Sequence, residues 1–286
     1  ELGNYKYLFL FLPALGIFFT ILVIKHLLKG KLEKGLSHIH YAIAKKSSFL
    51  PREQMYAQIA TSSLTVGLGG SAGLEAPIVL TGAAFGSNYA KTYKLGYKER
   101  TLLLACGIAA GIGATFNAPI AGVLFALEVL LVDISISAFT PLIIAAATGA
   151  LISKIVLQDD ILLSFSMLQP FNYNNVPQYV VLGIVAGLIS VYHLRMFEKV
   201  EHLFNKKKER IFINIIWGGL GLAGLIFMFP TLFGEGYQSI KYLADLQPEN
   251  ILNNSCFEKF KTNQWLVLSS VGLLILIKPI ATGLTV

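Results

Sequence analysis

The stretch Gly67-Leu68-Gly69-Gly70-Ser71-Ala72-Gly73-Leu74-Glu75-Ala76-Pro77 decides how the rest of the chain is read, because it sets a carboxylate beside a glycine run inside an apolar segment. A helix in lipid keeps its backbone hydrogen bonds internal, and irregular backbone at membrane depth survives only where it lines a cavity or is buried in protein. Four glycines within residues 67–73 therefore predict a break. Pro77 suits the first turn of a new helix, where its missing N–H costs nothing. The free N–H groups and positive dipole end of that helix lie close to Glu75, and such an end is a ready anion site.

Composition gives this break its setting. The 286 residues are 55% hydrophobic and 14% charged, with a mean hydropathy of +0.65, which excludes an ordinary soluble domain and places the chain in the membrane class. Apolar segments at 7–24, 55–90, 101–131, 138–157, 179–194, 212–232 and 265–286 predict an all-α polytopic membrane protein. No polar, Pro-rich or Ser-rich linker divides them, so residues 1–286 are expected to form a single membrane domain. The chain starts at Glu1 and stops at Val286 while still mostly apolar, so it is expected to be incomplete at both ends, with no signal peptide to discard. Cys106 lies in an apolar segment and Cys256 in a polar loop, which suggests neither a disulfide nor a metal cluster. No cofactor is expected.

The net charge of +7 could point to nucleic acid, but its distribution points to the bilayer instead. Residues 25–53 hold seven Lys/Arg, residues 91–100 four and residues 195–210 six, whereas the loop 158–178 holds none and carries Asp159 and Asp160. By the positive-inside rule the three basic loops are cytoplasmic, and 158–178 and 233–264 are outside. Residues 54–90 then begin and end on one side. Two full crossings of a ~30 Å core need about 40 helical residues, so two shortened pieces that turn near the glycine run fit better. By the same parity residues 101–131 enter and return, although the link 132–137 has no basic residue to fix its side. Their natural break is Gly111-Ile112-Gly113-Ala114-Thr115-Phe116-Asn117-Ala118-Pro119. Two interrupted segments in one bundle are the pointer to a transport site built from half-helices. Gly183, Gly187, Gly218, Gly219, Gly221 and Gly224, in the later and more regular spans, are expected to allow close helix packing.

With both breaks in view, the chain resembles the CLC family of chloride channels and proton-coupled chloride transporters. Gly73-Leu74-Glu75-Ala76-Pro77 is similar to the family's G-(K/R)-E-G-P motif, with Glu75 at the gating glutamate, Leu74 where a basic residue is usual and Ala76 where glycine is usual. Phe116-Asn117-Ala118-Pro119-Ile120-Ala121-Gly122-Val123-Leu124-Phe125-Ala126-Leu127-Glu128 is very similar to the family's Phe-Asn-Ala-Pro block. Weaker similarity runs through residues 178–205 and Phe233-Gly234-Glu235-Gly236-Tyr237, and Lys278-Pro279-Ile280-Ala281-Thr282 resembles the run before the family's third anion motif. That motif and the later site tyrosine would lie beyond Val286.

The resemblance implies a bundle with broken, re-entrant helices and an inverted repeat, in the cell (inner) membrane, moving chloride or another small anion. It implies a homodimer with a separate pore in each subunit. An anion that has lost its hydration is held most cheaply by backbone N–H groups at helix N-termini, and a modest affinity lets it leave. Gly73, Leu74 and Ala76 would supply such groups. Glu75 would be a tethered anion that occupies the site when ionised and swings away when protonated, so protons at Glu75 are a second partner; the bland alternative is a capping glutamate on a surface loop. Asn117 and Pro119 are read as capping and starting the next helix in preference to contacting the ion. Glu128 lies in an apolar run, and a structural buried acid and a functional one are both open. Gly70 and Pro77 shape the break, and Ser71 is read as a backbone-bonding turn residue rather than an ion ligand.

Two departures from the family pattern bear on mechanism. In proton-coupled members a second glutamate follows the position of Glu128, and here that place holds Val129, which cannot relay a proton. This resembles the channel branch, so passive conduction gated by Glu75 is favoured, with a proton-coupled chloride or fluoride antiporter as the alternative. The family's first motif should fall near Glu33-Lys34-Gly35-Leu36-Ser37-His38, where only Gly35 and a branched neighbour match. Either Lys34 aligns with the serine that normally touches chloride, or Ser37 replaces it after a local shift.

A different class of function is a membrane-embedded serine hydrolase, because Gly69-Gly70-Ser71-Ala72-Gly73 also satisfies G-x-S-x-G. That reading needs a histidine at the depth of Ser71. His26, His38, His40 and His202 sit in basic loops and His193 at a segment end, which disfavours it.

Overall fold

The computed structural model describes residues 8–28, 32, 35–130, 138–157, 172–205 and 211–286. Lys34, the link 132–137, Asp159, Asp160 and the basic run 206–210 lie outside the described residues. The described chain is all-α: α1 (Leu8–His26), α2 (Ser37–Lys45), α3 (Gln54–Gly67), α4 (Glu75–Thr92), α5 (Tyr97–Phe116), α6 (Pro119–Leu130), α7 (Phe139–Leu157), α8 (Val176–Asn205), α9 (Ile211–Met228), α10 (Tyr237–Ala244) and α11 (Gln264–Thr285). Four of these regions are long and apolar enough to cross a bilayer: 97–116, 139–156, 173–204 and 264–285. The protein is an integral membrane protein.

Both sequence breaks are present. Helix α3 has 14 residues and α6 has 12, so each spans only about 20 Å at 1.5 Å per residue. That is short of a ~30 Å hydrocarbon core. Residues 68–74 separate α3 from α4, and Asn117 and Ala118 separate α5 from α6. The basic stretches are less loop-like than their charge suggests. Residues 37–45 form α2, which buries Ile39, Ala42 and Ile43 at i, i+3 and i+4. Helix α8 runs on to Asn205 and carries Arg195 and Lys199 within it.

The chain divides into two compact units, Glu1–Phe19, Thr65–Ala72 and Ser164–Val286 in one, Thr20–Leu64 and Gly73–Leu163 in the other. In the second unit α4 and α5 pack backbone to backbone. A Cβ at Gly82 would collide with the carbonyl of Gly107, and one at Gly107 with the carbonyl of Gly82; Gly86 meets the carbonyl of Leu103 in the same way. Such contact needs small residues, because lipid tails offer no hydrophobic reward for looser association. Val79, Leu80, Ala83, Leu104, Ile108 and Ala109 close the core on either side.

In the first unit α9, the turn after it and α11 bring together Leu222, Ile226, Phe229, Leu232 and Ala281, with Phe229 stacked on Phe257 at 5.4 Å. Close packing falls at Gly219 against Ala14 and at Gly283 against Val200. Gly183, Gly187 and Gly224 meet nothing within 4 Å, contrary to the packing role expected of them, because their helix faces point away from the unit's own core.

Candidate functional site

Helix α4 starts without a side-chain cap. Its N-cap is Leu74 (φ −98°, ψ 0°), and its first intrahelical bond is Ile78 N–H to the Leu74 carbonyl at 3.0 Å. The first-turn N–H groups thus gain nothing from a Ser or Asp at the cap. What the sequence puts there instead is a carboxylate, on the first helical residue, Glu75. Negative charge at this end is favoured by about 0.3–1 kcal/mol.

The Glu75 side chain folds back along the chain. A Cβ on Gly73 would overlap Glu75 Oε2 and lie 3.1 Å from Cδ, so only glycine at position 73 lets the carboxylate take this place. The acid therefore lies against the backbone that leads into its own helix. Pro77 is the third helical residue, inside the first turn as expected.

Leu74 and, on α4, Pro77, Ile78, Thr81 and Phe85 line a groove of about 480 Å³ with Ile59, Ser62 and Ser63 of α3 and Gly107, Ala110 and Gly111 of α5. Ser62 spends its hydroxyl on the Gln58 carbonyl at 2.6 Å. Thr81 Oγ1 is buried without a hydrogen-bond partner among the described residues. The groove walls are thus mostly apolar, with the Ser63 and Thr81 hydroxyls among them.

At the second break, Asn117 occupies the left-handed region (φ 48°, ψ 38°) and closes α5, its N–H donating to the Gly113 carbonyl. The Ala118 N–H donates to the same carbonyl at 3.1 Å. Asn117 is thus the terminator of the helix before it rather than the cap of the helix after it, because asparagine is among the few non-glycine residues that tolerate this conformation. Pro119 starts α6 as expected.

Helix α6 turns Val123, Ala126 and Val129 into the core, and Val129 is 8% exposed. Glu128 is exposed rather than buried, because two residues on from Ala126 the helix has turned by about 200°. Ser37 is the exposed first residue of α2, two residues after the left-handed Gly35 (φ 76°). Of the expected site residues, the structure brings Gly73 and Glu75 into contact and sets Leu74 and Pro77 in one groove; Ala76, half-buried, lies between them on the first turn.

The earlier half of the glycine run belongs to the other unit and is held by α11. Gly69 is left-handed (φ 103°) with the Phe233 ring over it, and a Cβ at Gly70 would meet the Thr65 carbonyl and Thr285 Cγ2. Ser71 is fully buried: its N–H donates to Thr285 Oγ1 at 3.0 Å, and its Oγ accepts from Lys278 Nζ at 2.9 Å. Lys278 and Thr285 are seven residues apart, two turns, and so share a face of α11.

Lys278 and Thr285 are site-shaping residues that sequence reasoning missed, although a lone cation in an apolar span is itself a signal. A hydrolase nucleophile needs an open approach for its substrate, and Ser71 is fully buried.

A family model described as voltage gated chloride channel matches residues 16–286. A ClcB-like chloride channel protein of Ralstonia nicotianae is 27% identical over 235 residues, covering 81% of this chain and 55% of that protein. The voltage-gated ClC-type chloride channel ClcB of Escherichia coli O81 is 30% identical over 189 residues, covering 65% of this chain and 45% of that protein. The chain spans about half the length of these curated relatives. Among solved structures, a CLC-type fluoride/proton antiporter matches with a TM-score of 0.73 at 22% identity, over 98% of this chain and 67% of its own. A slow cyanobacterial Cl⁻/H⁺ antiporter matches with a TM-score of 0.73 at 20% identity, over 98% and 64%. Both are likenesses of fold.

Proposed function

This chain belongs to the voltage-gated chloride channel family, and from that premise we propose that it carries the gate and part of the path of a passive anion channel, with chloride or another small anion as its cargo. The observation that carries this reading is the Glu75 carboxylate folded onto Gly73 at the uncapped start of α4. An ionised carboxylate there competes with a permeating anion for the same N–H groups. Protonation removes its charge and its hold on them. Gly73, Leu74 and Ala76 present the backbone to the anion, and Gly70, Ser71 and Pro77 set the break that exposes it. Ser37, at the start of α2, or Lys34 would contribute as well. Asn117 and Pro119 shape the second break, and Glu128 stands on the exposed face of α6.

Passive conduction is preferred to proton-coupled exchange because Val129 offers no carboxylate and packs in the apolar core. A homodimer with one path per subunit completes the proposal. The test is reconstitution in liposomes with a chloride gradient and a pH indicator. Passive conduction predicts anion flux with no uphill proton movement. Uphill proton movement driven by chloride would overturn the channel reading in favour of an antiporter.

A further inference from the structure

The end of the second unit where α2, α4 and α5 meet collects cations and aromatic rings. Lys45 and Lys46 end α2, Lys91 and Lys94 sit at the end of α4, and Lys98 lies in the first turn of α5, all of them exposed. The segment between α2 and α3 is fastened over this end. Leu50 N–H donates to Ser87 Oγ at 3.0 Å, Asn88 Nδ2 donates to the Leu50 carbonyl at 3.2 Å, and Arg100 donates to the Ser47 carbonyl at 2.8 Å. Phe49 is thereby set under the Arg100 guanidinium at 3.5 Å and the Lys91 ammonium at 5.7 Å, while Lys46 lies over Tyr41 at 5.3 Å. Tyr89 and Tyr93 pack at 4.7 Å and, like Tyr97, stay exposed.

We propose that this surface, centred on Lys91, Lys94 and Lys98, binds the headgroups of anionic phospholipids. Half-apolar rings beside cations match the headgroup layer, where tyrosine is enriched and lysines gain from anionic lipid. The acidic residues nearby do not cancel the charge: residues 41–53 and 89–100 hold seven Lys/Arg against Glu53 and Glu99. A topology signal alone would need the charges but neither the rings nor their placement.

Lys94 adds a cation at the helix end itself. It takes the left-handed position (φ 54°) that closes α4, with its N–H donating to the Lys91 carbonyl at 3.1 Å and Leu95 N–H donating to the Ala90 carbonyl at 3.0 Å. Glycine is the ordinary residue for that position. A lysine there adds an exposed ammonium at the end of α4, where glycine would leave none.

The inference does not depend on how anions cross the protein. Phosphatidylglycerol and phosphatidylcholine titrated separately into the detergent-solubilised protein, with bound lipid counted by native mass spectrometry, test it. The unaltered protein should prefer phosphatidylglycerol, and each of Lys91→Gln, Lys94→Gln and Lys98→Gln should lower that preference about fivefold. Lys94→Gly should lose the same preference while unfolding at a higher temperature, which separates lost binding from lost fold. Equal binding of the two lipids by the unaltered protein would overturn the proposal. So would an undiminished preference in the triple variant, or full displacement of the lipid by millimolar inorganic phosphate.

Discussion

Lys278 Nζ donates a hydrogen bond to Ser71 Oγ at 2.9 Å across 207 residues of sequence, and so ties an apolar span to the glycine break four residues before Glu75. Thr285, on the same face of α11, accepts from the Ser71 N–H. Ser71 is fully buried, Lys278 is half-buried, and the donor is an ammonium, so the bond belongs with the stronger, charge-assisted class. Ser71→Ala should cost about 1.5–3 kcal/mol, read from reversible unfolding in mixed micelles. Anion flux by the protein that remains folded should persist. Complete loss of activity in well-folded Ser71→Ala would instead favour the hydrolase reading.

Gly73→Ala should act on the gate without touching Glu75. The new Cβ falls on Glu75 Oε2, so the carboxylate must leave its place over the backbone. A side-chain end can swing aside cheaply, and the fold should survive. Flux at neutral pH should rise several-fold, measured as chloride efflux from liposomes, and flux equal to the unaltered protein would contradict the placement of the acid.

Asn117→Ala should destabilise by about 1–2 kcal/mol, because alanine pays the full steric penalty of the left-handed region. Asn117→Gly should be close to neutral in the same unfolding assay. Were Asn117 acting through a cap on α6, alanine and glycine would both lose the side-chain bond and both would destabilise.

Much of this architecture could be read from residue order. The breaks were legible because glycine clusters and prolines act locally. Asn117 was legible only as a helix end: Asn-Ala-Pro fits both the stop of one helix and the start of the next, and the sign of φ that separates them depends on how α5 and α6 meet. Helix α2 and the last turns of α8 hid behind their lysines and arginines, since charge marks a solvated end and says little about whether the backbone there is coiled. The exposure of Glu128 follows from helical phase, once the Val123, Ala126 and Val129 stripe is known to be the buried one. The contact of Lys278 with Ser71 had no local trace, because the two residues meet only through the packing of α11.

Gly107→Val should break the contact of α4 with α5. Its side chain would enter the space of the Gly82 carbonyl, which is backbone and cannot rotate away. A loss of about 1–3 kcal/mol is expected from overpacking of this kind, seen as a lowered midpoint in the unfolding assay. The same change at Gly183, which meets nothing within 4 Å, should leave the midpoint in place.

The central claim is that the charge on Glu75 closes the anion path, and chloride flux through reconstituted protein as a function of pH tests it most directly. An ionised plug makes flux rise as pH falls, because protonation empties the site. In Glu75→Gln the flux should be equal to or above that of the unaltered protein and should no longer change with pH. A Glu75→Gln protein that keeps the pH dependence of the unaltered one would contradict the gating role.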